Sequence, residues 1–445
     1  MRDPEASLEI GDTHVCRKLR KPMDGAHFLR GELAQKWVEQ GKLVGFEVLD
    51  PLSVVSPKLP FVSQPGEWCD SQFFDAAELT LQLQREAVAA GFDLKDASAW
   101  NILFKGTDPI FCDLLSFQPL IQRKWWATGQ FSRHFIVPLL LSRRRGLHCF
   151  QAFTAWRDGV QPKIARQLLG PGRFLTRYWP LVADGESRVR EAETLPHLPS
   201  SIDMADFSKF REGLHTSLDW MLAGVRPPTV ATGDDRGWAA YVEDRSHYLT
   251  SSLQDKRFTV ATWIDQIAPS WVADFGCNTG EFSDIALERG AEVVAIDADH
   301  DAIDRLYRRR RHEPRLHPLI ANFDDLSNGR GWAGTEQTGL PQRLAQKFDL
   351  VMMLALVHHL AIAAAIPLRA IAEFAAHCTR RWLIVELMEE SDPQLRLLCA
   401  QRQRSPAEFS LSRQLAAFKD IGFTVESQVP LQSTSRTLML MRLST

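Results

Sequence analysis

Short apolar stretches alternate with amphipathic stretches throughout the second half of the chain. The apolar stretches predict five strands, over residues 271–275, 292–296, 318–321, 348–355 and 381–387. Between them, apolar positions recur at helical spacing, and the first such helix is predicted to end at Gly290. Strands that alternate with helices in this way are typical of a parallel sheet covered by helices on both faces.

The chain ends with a different pattern. Two further strands, 423–426 and 437–441, are separated only by a short polar loop, which predicts an antiparallel pair. Two helix starts precede them, one at Asp392-Pro393 and one at the capping box 405–408. The predicted fold class is therefore α/β, with a Rossmann-like sheet of seven strands whose last pair is antiparallel.

A break in the pattern divides the chain. Residues 224–236 contain Arg-Pro-Pro-Thr and Thr-Gly-Asp-Asp-Arg-Gly, which interrupt both helical and strand periodicity. With 445 residues the chain is long enough for two cores. We predict a first α+β domain over 1–223, a linker over 224–236 and the α/β domain over 237–445.

Composition and charge restrict the partners. Hydrophobic residues make up 45% of the chain, and the net charge of -3 gives no attraction to nucleic acid or to an anionic membrane. The most apolar run, 350–366, contains two histidines and is shorter than the ~20 residues of a spanning helix. Seven scattered cysteines without a C-x-x-C pair, and an N-terminus without a secretory signal, predict a cytoplasmic protein.

The loop after the first strand is the main candidate for ligand binding. Asp274 leads into a turn that contains Gly276, Asn278 and Gly280, where the backbone can approach a ligand closely. Asp297, at the tip of the second strand, is placed to accept the hydroxyls of an adenosine ribose. The alternative interpretation is that the glycine loop is an ordinary tight turn and that Asp297 only caps the next helix. Loop and acid together favour an adenosine ligand, without distinguishing S-adenosylmethionine from NAD.

Several segments of this half are familiar in sequence. They are DFGCNTGEFS at 274–283, VAID at 294–297, LALVHHL at 354–360, LIVE at 383–386 and Asp392-Pro393. Together they resemble a bacterial class I methyltransferase family related to the nodulation protein NoeA, and the resemblance covers nearly all of 237–445.

This resemblance implies S-adenosylmethionine as the cofactor. The loop 276–280 would hold its methionine part and Asp297 its ribose. Asn322 stands after the third strand, where such families commonly carry an aspartate near the adenine. Asp324 and Asp325 remain alternatives for that contact. No metal ion is predicted.

Candidate catalytic residues follow the fourth and fifth strands. A base is needed only if the methyl acceptor carries a proton, and His358 or His359 would serve, since imidazole titrates near neutral pH. Neighbours at a strand end point in different directions, so one histidine is expected to face the acceptor, with His359 favoured. The alternative is that both histidines are packing residues without a catalytic role. Glu386 would orient an amine or hydroxyl, and Tyr248 and Lys256 are expected to pack.

The resemblance extends into the first domain, through residues 60–68 and 94–104. The second stretch is also similar to the active-site loop of kinase-like phosphotransferases, with Asp96 and Asn101 at the D-x-x-x-x-N spacing. Asp113 stands where a second metal-binding acid would lie.

The same stretch departs from the kinase pattern. Leu94 replaces the usual histidine, Leu114-Leu115 follows the acid in place of Phe-Gly, and no glycine-rich phosphate loop precedes them. We therefore predict a degenerate kinase-like domain that recognises the acceptor. The chain is predicted to be a methyltransferase acting on a small-molecule or protein acceptor. An NAD-dependent oxidoreductase, a phosphotransferase and a non-catalytic interaction protein remain alternatives, and the oligomeric state is open.

Overall fold

The computed structural model describes residues 5–23, 27–121, 124–170, 177–182, 204–228 and 250–444. The chain divides into two compact units, residues 1–230 and 231–445. This division falls within the segment 224–236 that the sequence assigns to a linker. Tyr248 and most of that segment lie outside the described residues.

Unit 1 combines a small antiparallel sheet with helices, as expected for an α+β domain. Its first four strands form one sheet in the order β1-β2-β4-β3. The bounds of these strands are β1 Ala6–Ile10, β2 His14–Leu19, β3 Glu47–Asp50 and β4 Ser53–Pro57. Helix α1, Glu32–Glu39, lies in the connection between β2 and β3.

The rest of unit 1 is built on one long helix, α2 (Asp70–Ala89), most of which is buried. Two pairs of short strands follow it, β5 with β8 and β6 with β7. Their bounds are β5 Phe92–Leu94, β6 Ile102–Lys105, β7 Asp108–Phe111 and β8 Phe117–Pro119. The later helices are α3 Thr128–Phe131, α4 Val137–Arg145, α5 Cys149–Ala155, α6 Pro162–Leu169, α7 Trp179–Val182 and α8 Met204–Ala223, with a π-helical turn at Ser132–Ile136.

A buried ion pair attaches the last helix of unit 1 to the strand pairs. The Arg211 guanidinium is fully buried and donates to both oxygens of Asp93, at 3.0 and 2.9 Å. Gln84 of α2 donates to the same carboxylate at 2.8 Å. Burial of both charges is tolerated because the two-pronged geometry satisfies them, and it fixes where α8 lies in unit 1.

Unit 2 is the α/β domain that the pattern predicts. Its sheet has seven strands in the order β11-β10-β9-β12-β13-β15-β14. Five strands are parallel, and β15 is antiparallel to both of its neighbours. The strands are β9 Trp271–Phe275, β10 Glu292–Asp297, β11 Leu316–Ile320, β12 Phe348–Met353, β13 Thr379–Met388, β14 Phe423–Pro430 and β15 Arg436–Leu443.

Helices cover the sheet and provide the crossovers between its parallel strands. They are α9 Thr250–Ile267, α10 Glu281–Glu288, α11 His300–Arg309, α12 Leu340–Leu344, α13 Leu368–Cys378, α14 Pro393–Gln401 and α15 Leu411–Lys419. The Asp392 side chain caps α14, as predicted, by accepting from the backbone N–H groups of Gln394 and Leu395. The predicted capping box at Ser405 and Glu408 is present, but it starts a 3₁₀ turn, Pro406–Phe409, rather than an α-helix. Among the helices of the described ranges, none is both long and apolar enough to cross a membrane.

Several strand bounds differ from the prediction by a few residues, and two of these differences concern the strand ends next to the candidate site. Strand β12 ends at Met353 rather than at 355, because Ala355 has a φ of +54°, which strand backbone does not adopt. Strand β13 continues to Met388, one residue further than predicted, and pairs with β15 as far as that residue. Both differences lie at the edge of the sheet where the candidate site is found.

Candidate active site at the carboxyl edge of the sheet

A cavity of about 460 Å³ opens at the carboxyl edge of the parallel strands in unit 2. It is bordered by the residues that follow β9, β10, β11 and β12, and by parts of α9, α14 and β15. A cavity of this size is large enough for a cofactor of nucleoside dimensions, and its position is where open α/β sheets bind ligands.

The glycine loop after β9 forms the floor of the cavity. Gly276 and Gly280 both have left-handed backbone, with φ of +73° and +81°. A Cβ atom on Gly280 would lie 2.5 Å from a methyl group of Leu306, and one on Gly276 would lie 3.3 Å from Leu356. The left-handed backbone therefore favours glycine at both positions, and a Cβ atom would force the neighbouring leucine side chains to shift. Asn278 is also left-handed, a conformation that asparagine tolerates better than most residues.

Asp297 joins this loop to the tip of β10. Its carboxylate accepts the backbone N–H of Asn278 at 2.7 Å and that of Asp299 at 2.9 Å. The two bonds fix the plane of the carboxylate and leave each oxygen with further lone pairs on the cavity side. Burial raises the pKa of Asp297, and these backbone hydrogen bonds oppose the rise. The arrangement fits an acid that accepts the two hydroxyls of a ribose.

The neighbouring strand end supplies the adenine-side candidates. Asn322 and Asp324 both line the cavity, whereas Asp325 is not part of its lining. The structure therefore keeps Asn322 and Asp324 as candidates for contacting the base and does not favour Asp325.

Asp274 lies at the inner end of the cavity, on β9. It accepts a hydrogen bond from the Ser283 hydroxyl at 2.6 Å. Burial raises the pKa of Asp274 to about 6, with a further contribution from the Asp297 carboxylate. A ligand that brings positive charge would favour the ionised form of this acid.

Both histidines line the cavity, and the strand alternation from which we expected only one of them to face the acceptor does not apply here. Their rings are in contact, with centroids 4.1 Å apart. The reason is local: His358 has helical backbone and His359 begins a π-helical turn, His359–Ala363, so strand alternation does not apply. Burial lowers the pKa of His359 to about 4, and the pKa of His358 falls well below its usual value. Both imidazoles are therefore neutral at physiological pH.

Glu386 is placed differently from the expectation. It is not at a strand tip but inside β13, fully buried, and it does not line the cavity. Its carboxylate pairs with Lys256 at 2.5 Å and with Arg436 at 3.2 Å. Those two cations do line the cavity. Glu386 therefore affects the cavity only indirectly. Its carboxylate oxygens bind Lys256 and Arg436 and hold these two lining residues in place.

Lys256 and Arg436 are the residues that sequence reasoning missed. Lys256 was expected to pack, and Arg436 carried no signal at all because it begins an ordinary strand. Arg436 also donates from Nε to Asp392 at 2.8 Å, which connects β15 to the start of α14. A buried glutamate in an otherwise apolar strand was the one available signal, since a buried charge needs a partner.

In unit 1 the three kinase-like residues do come together. The Asn101 amide donates to the backbone carbonyl of Asp96 at 3.1 Å. Burial raises the pKa of Asp96, and the Asp113 carboxylate adds to the rise, so the two acids are close. Arg17 of β2 donates to the carbonyl of Cys112, which ties the sheet to the residue before Asp113.

The glycine-rich loop of a kinase is missing from this part of unit 1. The turn between β1 and β2 spans residues 11–13 and contains one glycine. Asp113 is held by its own loop, since it accepts the backbone N–H of Leu115 and the hydroxyl of Ser116. The kinase-like assignment of unit 1 stays a prediction.

Comparison with known proteins points to the same chemistry as the cavity. Residues 273–381 match a family model described as a methyltransferase domain. The chain is 27% identical over 427 residues to the nodulation protein NoeA of Rhizobium meliloti (strain 1021), covering 90% of this chain and 87% of that protein. A segment of 55 residues is 34% identical to the ribosomal RNA small subunit methyltransferase A of Synechococcus sp. (strain JA-3-3Ab), covering 12% of this chain and 20% of that protein.

Solved structures of methyltransferases also align. The N-methyltransferase NodS from Bradyrhizobium japonicum WM9, in complex with S-adenosyl-L-homocysteine, aligns at 12% identity and a TM-score of 0.34, covering 46% of this chain and 99% of that one. The magnesium protoporphyrin IX methyltransferase from Synechocystis PCC 6803, with bound S-adenosylmethionine, aligns at 13% identity and a TM-score of 0.31, covering 48% and 100%. The strand order, the glycine loop with Asp297 and the family match together identify the chain as a class I methyltransferase that uses S-adenosylmethionine, similar to NoeA over most of its length.

Proposed function

We propose that the protein transfers the methyl group to a small-molecule acceptor that binds between the two histidines and the β15 side of the cavity. The observation that carries this proposal is the division of one cavity into two parts. Asp274, Asp297 and Asn322 line the part beside β9, β10 and β11, and His358 and His359 line the part after β12. The cysteine pattern further supports a cytoplasmic reaction.

The bound cofactor supplies a methyl group on a positively charged sulfur, which is attacked in line by the acceptor atom. The protein's own residues contribute alignment and exclusion of water. The loop 276–280 and Asp297 would hold the methionine and ribose parts. Leu356, which lies next to Gly276, and the other apolar residues after β12 line the cavity.

We assign the base, where the acceptor carries a proton, to the histidine pair. His359 remains the favoured residue: burial lowers its pKa to about 4, which keeps the imidazole neutral and able to accept a proton. The Nδ1 atom of buried His358 has no hydrogen-bond partner within the described ranges.

We further propose that unit 1 recognises the acceptor and does not transfer phosphate. Asp96, Asn101 and Asp113 have kinase-like spacing, but the short β1–β2 turn offers no backbone cradle for phosphates. An NAD-dependent reaction in unit 2 is disfavoured because the loop lacks the third glycine of the dinucleotide fingerprint.

Asp297 provides the test of cofactor binding. Asp297→Asn should weaken binding of S-adenosylmethionine by at least about tenfold, because an acceptor for the ribose hydroxyls is lost. Asp299→Asn is the matched control: it removes the same charge two residues away, and asparagine still caps α11. Isothermal titration of both variants measures the difference. Equal affinities in the two variants would remove Asp297 from the cofactor site.

Asp274 predicts how cofactor affinity depends on pH. The positive charge of the cofactor favours ionised Asp274, so its pKa should fall on binding from the value of about 6 in the free protein. The dissociation constant should be constant above pH 7 and rise below about pH 6, by up to about tenfold per pH unit. Asp297 and Lys256 also act on this carboxyl, so Asp274→Asn is the control and should lose the inflection near pH 6. A wild-type constant that stays level down to pH 5 would contradict the assignment.

The histidine pair predicts a loss of turnover without loss of cofactor. His359→Ala should lower kcat by about 10²-fold or more while the affinity for S-adenosylmethionine changes little, because general-base catalysis contributes that order of rate. His358→Ala measures how much the His358 imidazole contributes to kcat. His377→Ala is the control, since His377 lies on α13 outside the cavity and contacts the Pro341 carbonyl. Near-normal kcat in the double variant would exclude both rings from the mechanism.

Unit 1 predicts a negative result for phosphate transfer. With ATP labelled on its γ-phosphate and magnesium, the full-length protein should release or transfer no more label than Asp113→Asn, because no loop positions the phosphates. Label transfer by the wild type that disappears in Asp113→Asn would show that unit 1 is an active phosphotransferase.

A further inference from the structure

Charge is distributed unevenly along the cavity. The acidic side chains of the lining, Asp274, Glu281, Asp297 and Asp324, all belong to the β9, β10 and β11 side. The cations of the lining are Lys256, Arg402 and Arg436. Arg436 begins β15 and Arg402 directly follows α14, while Lys256 of α9 pairs with Glu386 of β13. An acceptor on the α14 and β15 side would therefore meet Arg402 and Arg436, whereas Lys256 also lies near Asp274.

The acids that balance these cations are turned away from the cavity. Glu386 is fully buried and Asp392 nearly so, and neither belongs to the lining. They pair with Lys256 and Arg436, which gives two carboxylates for two cations. Such partners hold the cations in place inside a low-dielectric region, where a missing partner would be costly.

Arg402 is the third cation, and within the described ranges no ion pair is found for it. It follows the last residue of α14, is exposed and belongs to the lining of the cavity. Both histidines are neutral, so this side of the cavity carries one positive charge that the protein does not balance. The bound cofactor adds its own sulfonium charge. A cationic acceptor would be repelled here, and an anionic one attracted.

We infer that the methyl acceptor is a small molecule with an anionic group, a carboxylate, phosphate or sulfate, which binds against Arg402 and Arg436. This inference rests on the proposed function and narrows its substrate class. The geometry leaves the methylated atom beside the histidines and the anion on the β15 side. The competing source of an anion for these arginines is the carboxylate of the cofactor's own methionine part.

The first experiment determines the charge of the acceptor. A metabolite extract of the cells that make the protein is separated on a quaternary-ammonium resin at pH 7.5, before reaction, into unretained and retained fractions. Each fraction is incubated with full-length protein and methyl-tritiated S-adenosylmethionine. Tritium transfer should occur in the retained fraction. Transfer only in the unretained fraction would overturn the inference and leave the proposed function intact, whereas no transfer in the unseparated extract would contradict the proposed function itself.

The second experiment tests the arginines. Arg402→Gln should raise the KM for the retained fraction by about tenfold or more, and Arg402→Glu should raise it further, with kcat much less affected. Arg436→Lys tests the second, buried arginine while it keeps the positive charge. Arg396→Gln is the matched control, because Arg396 is on the same helix, lies outside the lining and donates to the Glu390 carbonyl. An unchanged KM in both Arg402 variants and in Arg436→Lys would overturn the assignment.

Binding measurements separate the two sources of the anion. Titration with S-adenosylmethionine and with 5′-methylthioadenosine, which lacks the methionine carboxylate, needs no acceptor. If the arginines bind the acceptor, Arg402→Gln should bind both compounds within about twofold of the wild type. A selective loss of affinity for S-adenosylmethionine would show that the anion is the cofactor's carboxylate and would overturn the inference.

Discussion

Five neighbouring strands of the unit 2 sheet pair in parallel, and most of the candidate active site depends on that constraint. Because parallel strands end at the same edge, residues that are far apart in sequence arrive side by side. Asp297 reaches back to the loop after β9 and accepts the N–H of Asn278, which lies 19 residues earlier. The histidines arrive at the same edge from the fourth strand in chain order, β12. The antiparallel β15 then brings Arg436 to this edge from the opposite direction, since it runs against β13.

A buried glutamate organises the second half of the cavity. Glu386 has no contact with solvent, so its charge requires partners, and the partners come from two other elements: Lys256 from α9 and Arg436 from β15. Arg436 in turn reaches Asp392, the cap of α14. This one network therefore fixes the start of α14, the start of β15 and the Lys256 side chain relative to β13. Removing Glu386 would leave two cations without their shared counter-charge, which is why its role is positional.

Backbone conformation, rather than side-chain identity, decides how the histidines are presented. Ala355 adopts a left-handed φ of +54°, which costs roughly 1 kcal/mol for a residue with a Cβ atom. The chain leaves the strand there and enters helical backbone, with a π-helical turn from His359. Unusual backbone of this kind is often found at functional sites. Here it brings two neighbouring rings to the same side, which an extended strand would have separated.

The sequence by itself determined the sheet, its helices and the cofactor half of the site. Those features depend on neighbouring residues: strands show as apolar runs, and the Gly276 and Gly280 turn with Asp297 at the next strand tip follows from short spacings. The kinase-like spacing of Asp96 and Asn101 was visible for the same reason. Only the tertiary structure decided the part of the cavity that we propose for the acceptor. Lys256, Arg402 and Arg436 carry no local pattern, and the orientation of His358 and His359 depends on a backbone turn that the strand period does not describe. Their placement follows from the packing of α9, α14 and β15 around buried Glu386, and such long-range pairing of charges leaves no trace in sequence spacing.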